Sequence, residues 1–142
     1  MTTAPQYFFN SYIADLHNGI HNIGSNTLKL ALSNTLPVAT ITDLGGITQI
    51  TAGGGYTLGG FTLTVASSTQ SSGVYKALIN DLTFSPTGTV NTFQYPVLYN
   101  SSVGNKVICW WDYGVAQNLV SGDTFLFDFD GTLGGLRASF AA

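Results

Sequence analysis

In "TLKLALS" (27–33), Leu28, Leu30 and Leu32 fall on one side of an extended chain and Lys29 on the other. "FTLTVAS" (61–67) repeats the pattern, with Phe61, Leu63 and Val65 set against Thr62 and Thr64. A period of two is the side-chain period of a strand, and no helix can gather such residues on one face. "VYKALI", "DLTF", "FQYPVLYN", "KVICWWDYG" and "TFLFDF" read as further short strands. Turn-forming clusters separate them: Ser72-Gly73, Pro86-Thr87-Gly88, residues 101–105 and Ser121-Gly122. The composition agrees, because all seven acids are Asp and Glu, a good helix former, is absent. The pattern predicts a mainly β, single-domain antiparallel β-sandwich or barrel over residues 26–142. Pro96 inside its strand predicts a sheet edge or a bulge there.

The first 25 residues carry a different period and are expected to form an N-terminal arm with one short helix. Phe9, Ile13, Leu16 and Ile20 recur at helical spacing, which would place them on one face. Gly19 weakens the helix, and Gly24 is the expected stop. Between residues 35 and 60 the pattern loosens into a short helical turn near Thr42 to Leu44 and a glycine-rich loop. No second domain, repeat or linker is evident.

Only 8% of the residues are charged, against about 25% in ordinary soluble domains. The net charge of −3 and the scarcity of bases (Lys29, Lys76, Lys106 and Arg137) argue against a surface that neutralises nucleic-acid phosphates. A charge-poor surface suits a protein largely covered by partners, since interface cores are depleted in Lys, Glu and Asp. The alternative is a monomer coated with Thr and Ser. No apolar run approaches the ~18 residues of a membrane span. No base precedes Lys29, so neither a signal nor a transit peptide is expected. Cys109 is alone, which rules out an intrachain disulfide.

Four stretches invite a chemical reading. "FLFDFDGTL" (125–133) has the Asp-x-Asp-Gly-Thr form of the haloacid-dehalogenase phosphatase nucleophile, with Asp128 and Asp130 as the two carboxylates. That chemistry needs a cation and a magnesium-binding acidic pair after the motif. Only a short tail without Lys, Asp or Glu follows Leu133, so an Asp-Gly hairpin turn is the expected structure, with Phe125, Phe127 and Phe129 on one face. His17 and His21 have the four-residue spacing of zinc ligands, yet Asn18 stands where the motif requires Glu, and no metal or other cofactor is expected. "GGGYTLGG" (53–60) lacks the Lys and hydroxyl residue of a phosphate loop and reads as a hairpin or an arm that orders on a partner. "ICWWDYG" (108–114) is densely aromatic. Ile108 and Trp110 would point to one side, and Cys109, Trp111 and Tyr113 to the other. Such a strand is buried on both faces, meets a partner, or offers Trp110, Trp111 and Tyr113 as a platform for sugar rings. No coherent catalytic set emerges, so enzymatic activity is not expected.

Taken in order, "NTLKLALSNT", "GGGYTLGGFTLT", "YKALINDLTFSPTG", "YPVLYN", "ICWWDYG" and "SGDTFLFDFDGTLGGL" resemble a family of small virion-associated proteins of tailed bacteriophages. The likeness runs from about Phe9 to Leu136. It implies a structural role in the particle, with the virion as location and the major capsid protein or another virion protein as partner. A capsid decoration (cement) protein acting as a homotrimer is the specific expectation, without direct nucleic-acid or membrane contact. Tyr7, Phe8, Phe9 and Tyr12, with Tyr56 of the glycine-rich loop, would be its intersubunit contacts. A tail or connector component and a carbohydrate-binding module on the virion are the alternatives.

Overall fold

The computed structural model describes residues 4–139. Its elements in chain order are β1 (Gln6–Phe8), α1 (Asn10–His17), β2 (Leu28–Ser33), a 3₁₀ turn (Leu44–Gly46), β3 (Phe61–Thr62), β4 (Val65–Ser71), β5 (Val74–Ile79), β6 (Leu82–Phe84), β7 (Val90–Phe93), β8 (Tyr95–Asn100), β9 (Lys106–Trp111), β10 (Gln117–Leu119), β11 (Phe125–Phe127) and β12 (Leu136–Ser139). The fold is mainly β with one short helix, as the alternation predicts. One layer is a five-stranded antiparallel sheet in the order β1-β9-β8-β2-β3. Three small antiparallel sheets, β12-β5-β4, β11-β6 and β10-β7, supply side chains to a shared core with it and form the second layer of a β-sandwich.

The large sheet is covered on both faces. Leu28, Leu30, Leu32, Leu98 and Ile108 pack toward the second layer, against Ala77, Phe84, Phe93, Phe127 and Leu136. Ala31, Val97, Tyr99, Val107 and Trp110 pack on the opposite face, beneath Phe9 and the loop residues Ala39, Ile41, Leu44 and Ile47. β2 and β8 are therefore buried along almost their whole length, and the alternation read in β2 marks only which side each residue faces.

Two stretches that read as single strands are divided between layers. In "FTLTVAS", β3 pairs with β2 while β4 pairs with β5, and the chain crosses the sandwich at residues 63–64. In "FQYPVLYN", Phe93 ends β7, which pairs with β10, and Tyr95 opens β8 in the large sheet. Pro96 sits in an inner strand rather than at an edge. It lies opposite Leu32 of β2, and the ladder to β9 begins only at the next residue, with Val97 opposite Trp110.

The N-terminal segment is part of the sandwich. Gln6–Phe8, within the expected N-terminal arm, is extended and pairs with Cys109–Trp111 of β9. α1 follows, and of its expected apolar face only Ile13 turns to solvent, at 64% exposed, while Phe9 is buried and Leu16 and Ile20 are half-buried. Gly19, not Gly24, ends the helix. Its φ of +75° lets Ile20 N–H reach Asp15 C=O and Gly19 N–H reach Leu16 C=O, the paired bonds of a Schellman stop. The expected 3₁₀ turn is present and is capped by Asp43, whose carboxylate accepts from Gly45 N–H.

The glycine-rich loop packs tightly instead of projecting. Tyr56 is 1% exposed. Its hydroxyl accepts from Leu32 N–H at 3.0 Å and donates to Gln49 Oε1 at 2.9 Å, supplying β2 with a partner where the short β3 has ended. Gly60 lies against β2 so closely that a Cβ there would stand 1.8 Å from Leu30 C=O, at a φ of +76°.

Three stability changes follow from these backbone and packing details. Gly60→Ala should cost at least about 3 kcal/mol, combining backbone strain with a steric clash. Gly104→Ala, at φ +68° with open space around it, should cost only about 1–2 kcal/mol. Tyr56→Phe should cost about 1–3 kcal/mol by leaving a buried N–H unpaired. Urea denaturation of the three variants beside the wild type reads all three values.

Candidate functional site: the β1 edge and its adjoining cleft

β1 closes one end of the large sheet. Phe9 N–H bonds Ile108 C=O and Asp112 N–H bonds Pro5 C=O, so the residues that exchange bonds with β9 are odd-numbered. Alternation then turns the N–H and C=O of Gln6 and Phe8 outward, where no described strand meets them. Aromatic side chains flank that open edge on both faces. Tyr7, 45% exposed, stacks on Trp110 with ring centroids 5.4 Å apart. Phe8, 41% exposed, stacks on Tyr12 at 5.6 Å. Asn10 N–H bonds Ala39 C=O, which brings the exposed Val38 close to this edge.

Of the five aromatic residues expected to be contacts, only Tyr7 and Phe8 present substantial surface. Phe9 is buried against Trp110 in the outer core, and Tyr56 is buried in the inner one. Tyr12 is half-buried, and its burial, aided by Cys109 and Tyr75, holds the phenol well above its ordinary range. The error at Phe9 has a simple cause. Tyr7 and Phe9 both lie against Trp110 on one face, and the loop residues of the outer core pack in the same cluster as Phe9 but not Tyr7.

The aromatic strand β9 is also divided differently from its expected alternation. Its pairing with β8 shifts between Leu98, opposite Cys109, and Tyr99, opposite Val107, so that Ile108 is an extra residue in a bulge. Ile108 and Cys109 both serve the inner core, whereas Trp110 belongs to the outer one. Trp110 is covered by Tyr7 and Phe9, with its indole N–H buried and unpartnered, and is not a free platform. Trp111 and Tyr113 remain half-exposed. Trp111 and Phe129 form a T-shaped pair with ring centroids 5.6 Å apart, and Tyr113 packs against Phe93 and Phe125 while burial raises its phenol above the ordinary range. Gln6 Nε2 donates to Cys109 Sγ and Gly135 C=O, pinning β1 to the loop that leads into β12.

Trp111 and Tyr113 share a cleft of about 770 Å³ with Asp128 and Asp130. The Asp-Gly pair is not the expected two-residue hairpin. β11 pairs with β6 and β12 with β5, and the turn between β11 and β12 is wider. Asp130 Oδ1 accepts from Thr132 and Leu133 N–H, each at 2.8 Å, and Asp130 C=O accepts from Gly134 N–H. Those backbone donors, Leu133 first, lower the Asp130 pKa from the ordinary carboxylate value. The expected face of Phe125, Phe127 and Phe129 does turn inward. Gln6 and Arg137 complete the rim, and neither carries a sequence signal for that position.

His17 and His21 do not share a helix face, because α1 ends at His17. His17 is exposed and bonds Ile13 C=O at 2.8 Å through Nδ1. His21 is buried, with Nδ1 3.1 Å from Asn100 Nδ2 and Nε2 unpartnered. No group of three metal-ligating side chains occurs among the described residues, and no helix there is long and apolar enough to cross a membrane. No protein-family model, curated protein or solved structure matches the chain.

Two measurements probe these buried groups. Burial pushes the Cys109 thiol up to about 12. A thiol reagent at pH 8 should therefore leave it unmodified in the native protein and react fully in denaturant. Burial, with Lys106 adding to it and Asp15 opposing, lowers the His21 pKa below its ordinary 6.5. The unfolded chain then binds the proton more readily. The stability that neutral His21 contributes is complete above pH 6.5 and declines as the pH falls below that value. His21→Gln should flatten this acid-side slope in thermal melts at pH 5 to 7.5.

Proposed function

We propose that the chain is a structural protein of a tailed-phage virion, acting as a capsid decoration (cement) protein that bridges neighbouring subunits. The observation that carries this reading is the uncharged, aromatic-flanked open edge of β1. Monomers protect sheet edges with charge, proline or a bulge. Apart from its brevity, Gln6–Tyr7–Phe8 uses none of these within the strand, and Tyr7 and Phe8 expose apolar surface on either side of outward backbone groups. An extended segment of a capsid protein would add there as a further strand, with backbone bonds supplying affinity and the two aromatics selectivity. The resemblance of the chain to small phage virion proteins and its low charge support the same reading. A closed trimer would let so small a protein cover much of its apolar surface with copies of itself, leaving the β1 edge for the shell.

The copy number of the chain relative to the major capsid protein in purified particles tests the proposal. A ratio near one, or a simple fraction of it, is the expected result. A few to a few dozen copies per particle would instead favour a tail or connector component, and absence from particles would refute a virion role. Phe8→Lys, at an exposed position, should leave the melting temperature within about 2 °C of wild type while reducing incorporation into particles.

A further inference from the structure

The cleft beside β1 holds an unusual combination for a charge-poor chain: an indole and a phenol in its wall, and carboxylates at its mouth. We propose that it is a binding site for a neutral saccharide, with Trp111 as the stacking surface and Asp128 as the principal hydroxyl acceptor.

Four features converge on that ligand class. At about 770 Å³ the cleft lies within the range of small-molecule sites, roughly 300–1,000 Å³. Trp111 is only half-buried, and its contact with Phe129 is edge-on at 70°, so the cleft is walled by an anchored aromatic ring. Such a ring suits the C–H face of a pyranose, which is apolar although its rim is polar. Ionised carboxylates only accept hydrogen bonds, and sugar hydroxyls are abundant donors. Asp128 is exposed at the cleft, and Asp130 contributes Oδ2, since its two backbone bonds both use Oδ1. The two carboxylates stand beside Arg137 in the lining and Lys76, which bonds Thr132 C=O and acts on Asp130, so the cleft has no excess of cations to draw phosphate, sulfate or acidic sugars. A metal ion is a poor fit, given that no cluster of three ligating side chains occurs among the described residues.

The site is also built in advance of any ligand. Trp111 belongs to a strand paired on β1, and the bond from Gln6 Nε2 to Gly135 C=O at 2.9 Å ties that strand to the opposite lip. Little ordering is then needed on binding, which matters for a weakly held, hydrated ligand.

The test is a glycan array of neutral and acidic oligosaccharides probed with the full chain, followed by calorimetry on the strongest neutral glycan. Retention of neutral hexose-containing glycans is expected. Asp128→Asn should weaken binding about tenfold or more with an unchanged melting temperature, as loss of a charged acceptor does. Trp111→Phe should weaken it as well while keeping an apolar ring against Phe129. An array that retains no neutral glycan would overturn the proposal. So would retention of acidic glycans alone, or neutral binding of undiminished strength in Asp128→Asn. Each result is independent of whether the chain is found in virions.

Discussion

A sheet whose inner strands are apolar on both faces has to be covered twice, and this requirement organises the molecule. β2, β8 and β9 bury side chains above and below the sheet plane, so a single packed layer would leave one face in water. The second layer of small sheets covers the inner face. Among the described residues the outer face meets no second sheet and is closed by Phe9, the residues around the 3₁₀ turn and Tyr95. Burying a chain without regular structure is costly unless its backbone groups find partners. Here Leu44 N–H bonds Asn105 C=O and Val107 N–H bonds Thr42 C=O, so the covering loop is joined to the end of the sheet.

The same requirement explains why polar side chains with particular partners occur inside. β3 is only two residues long, which leaves Leu32 N–H of an inner strand without a strand neighbour. The Tyr56 hydroxyl takes that place, and burial pushes its phenol up to about 12, keeping it protonated as a donor to Gln49. At the other end of the sheet, Asn100 binds Asn26, the Ser102 N–H and His21 together. These groups satisfy backbone and side-chain polarity that the double burial would otherwise strand. The surface proposed as functional lies at the sheet's open end, where β1 supplies an edge and, with the 130–135 loop, a cleft.

Much of the architecture was legible in the residues because alternation is a local property. Leu28, Leu30 and Leu32 share a face, and Phe125, Phe127 and Phe129 turn inward, as their spacing requires. Other assignments failed where a local pattern is ambiguous. The bulge at Ile108 puts Ile108 and Trp110 in different cores although alternation places them on one side, because one inserted residue resets the parity of a strand. Tyr56, within a run of glycines, reads as an exposed loop tip, yet those glycines let the loop approach β2 closely enough to bury it. The candidate site was half visible. Trp111, Tyr113 and the aspartates stood out as motifs, whereas Gln6 and Arg137 come from segments more than a hundred residues apart in sequence.

The sequence by itself determined the class of fold, the strand-forming segments and the scarcity of charge. These depend on side-chain period and on composition, which can be read a few residues at a time. Only the tertiary structure decided which strands pair, where a continuous run crosses from one layer to the other, and which aromatics remain at the surface. Those outcomes depend on long-range contacts: a face is buried or exposed according to what lies opposite it. Tyr7 and Phe9 are both aromatic and two residues apart, and what distinguishes them is the segment around Ala39 and Ile41, which packs in the same core as Phe9 while Tyr7 keeps nearly half its surface in solvent.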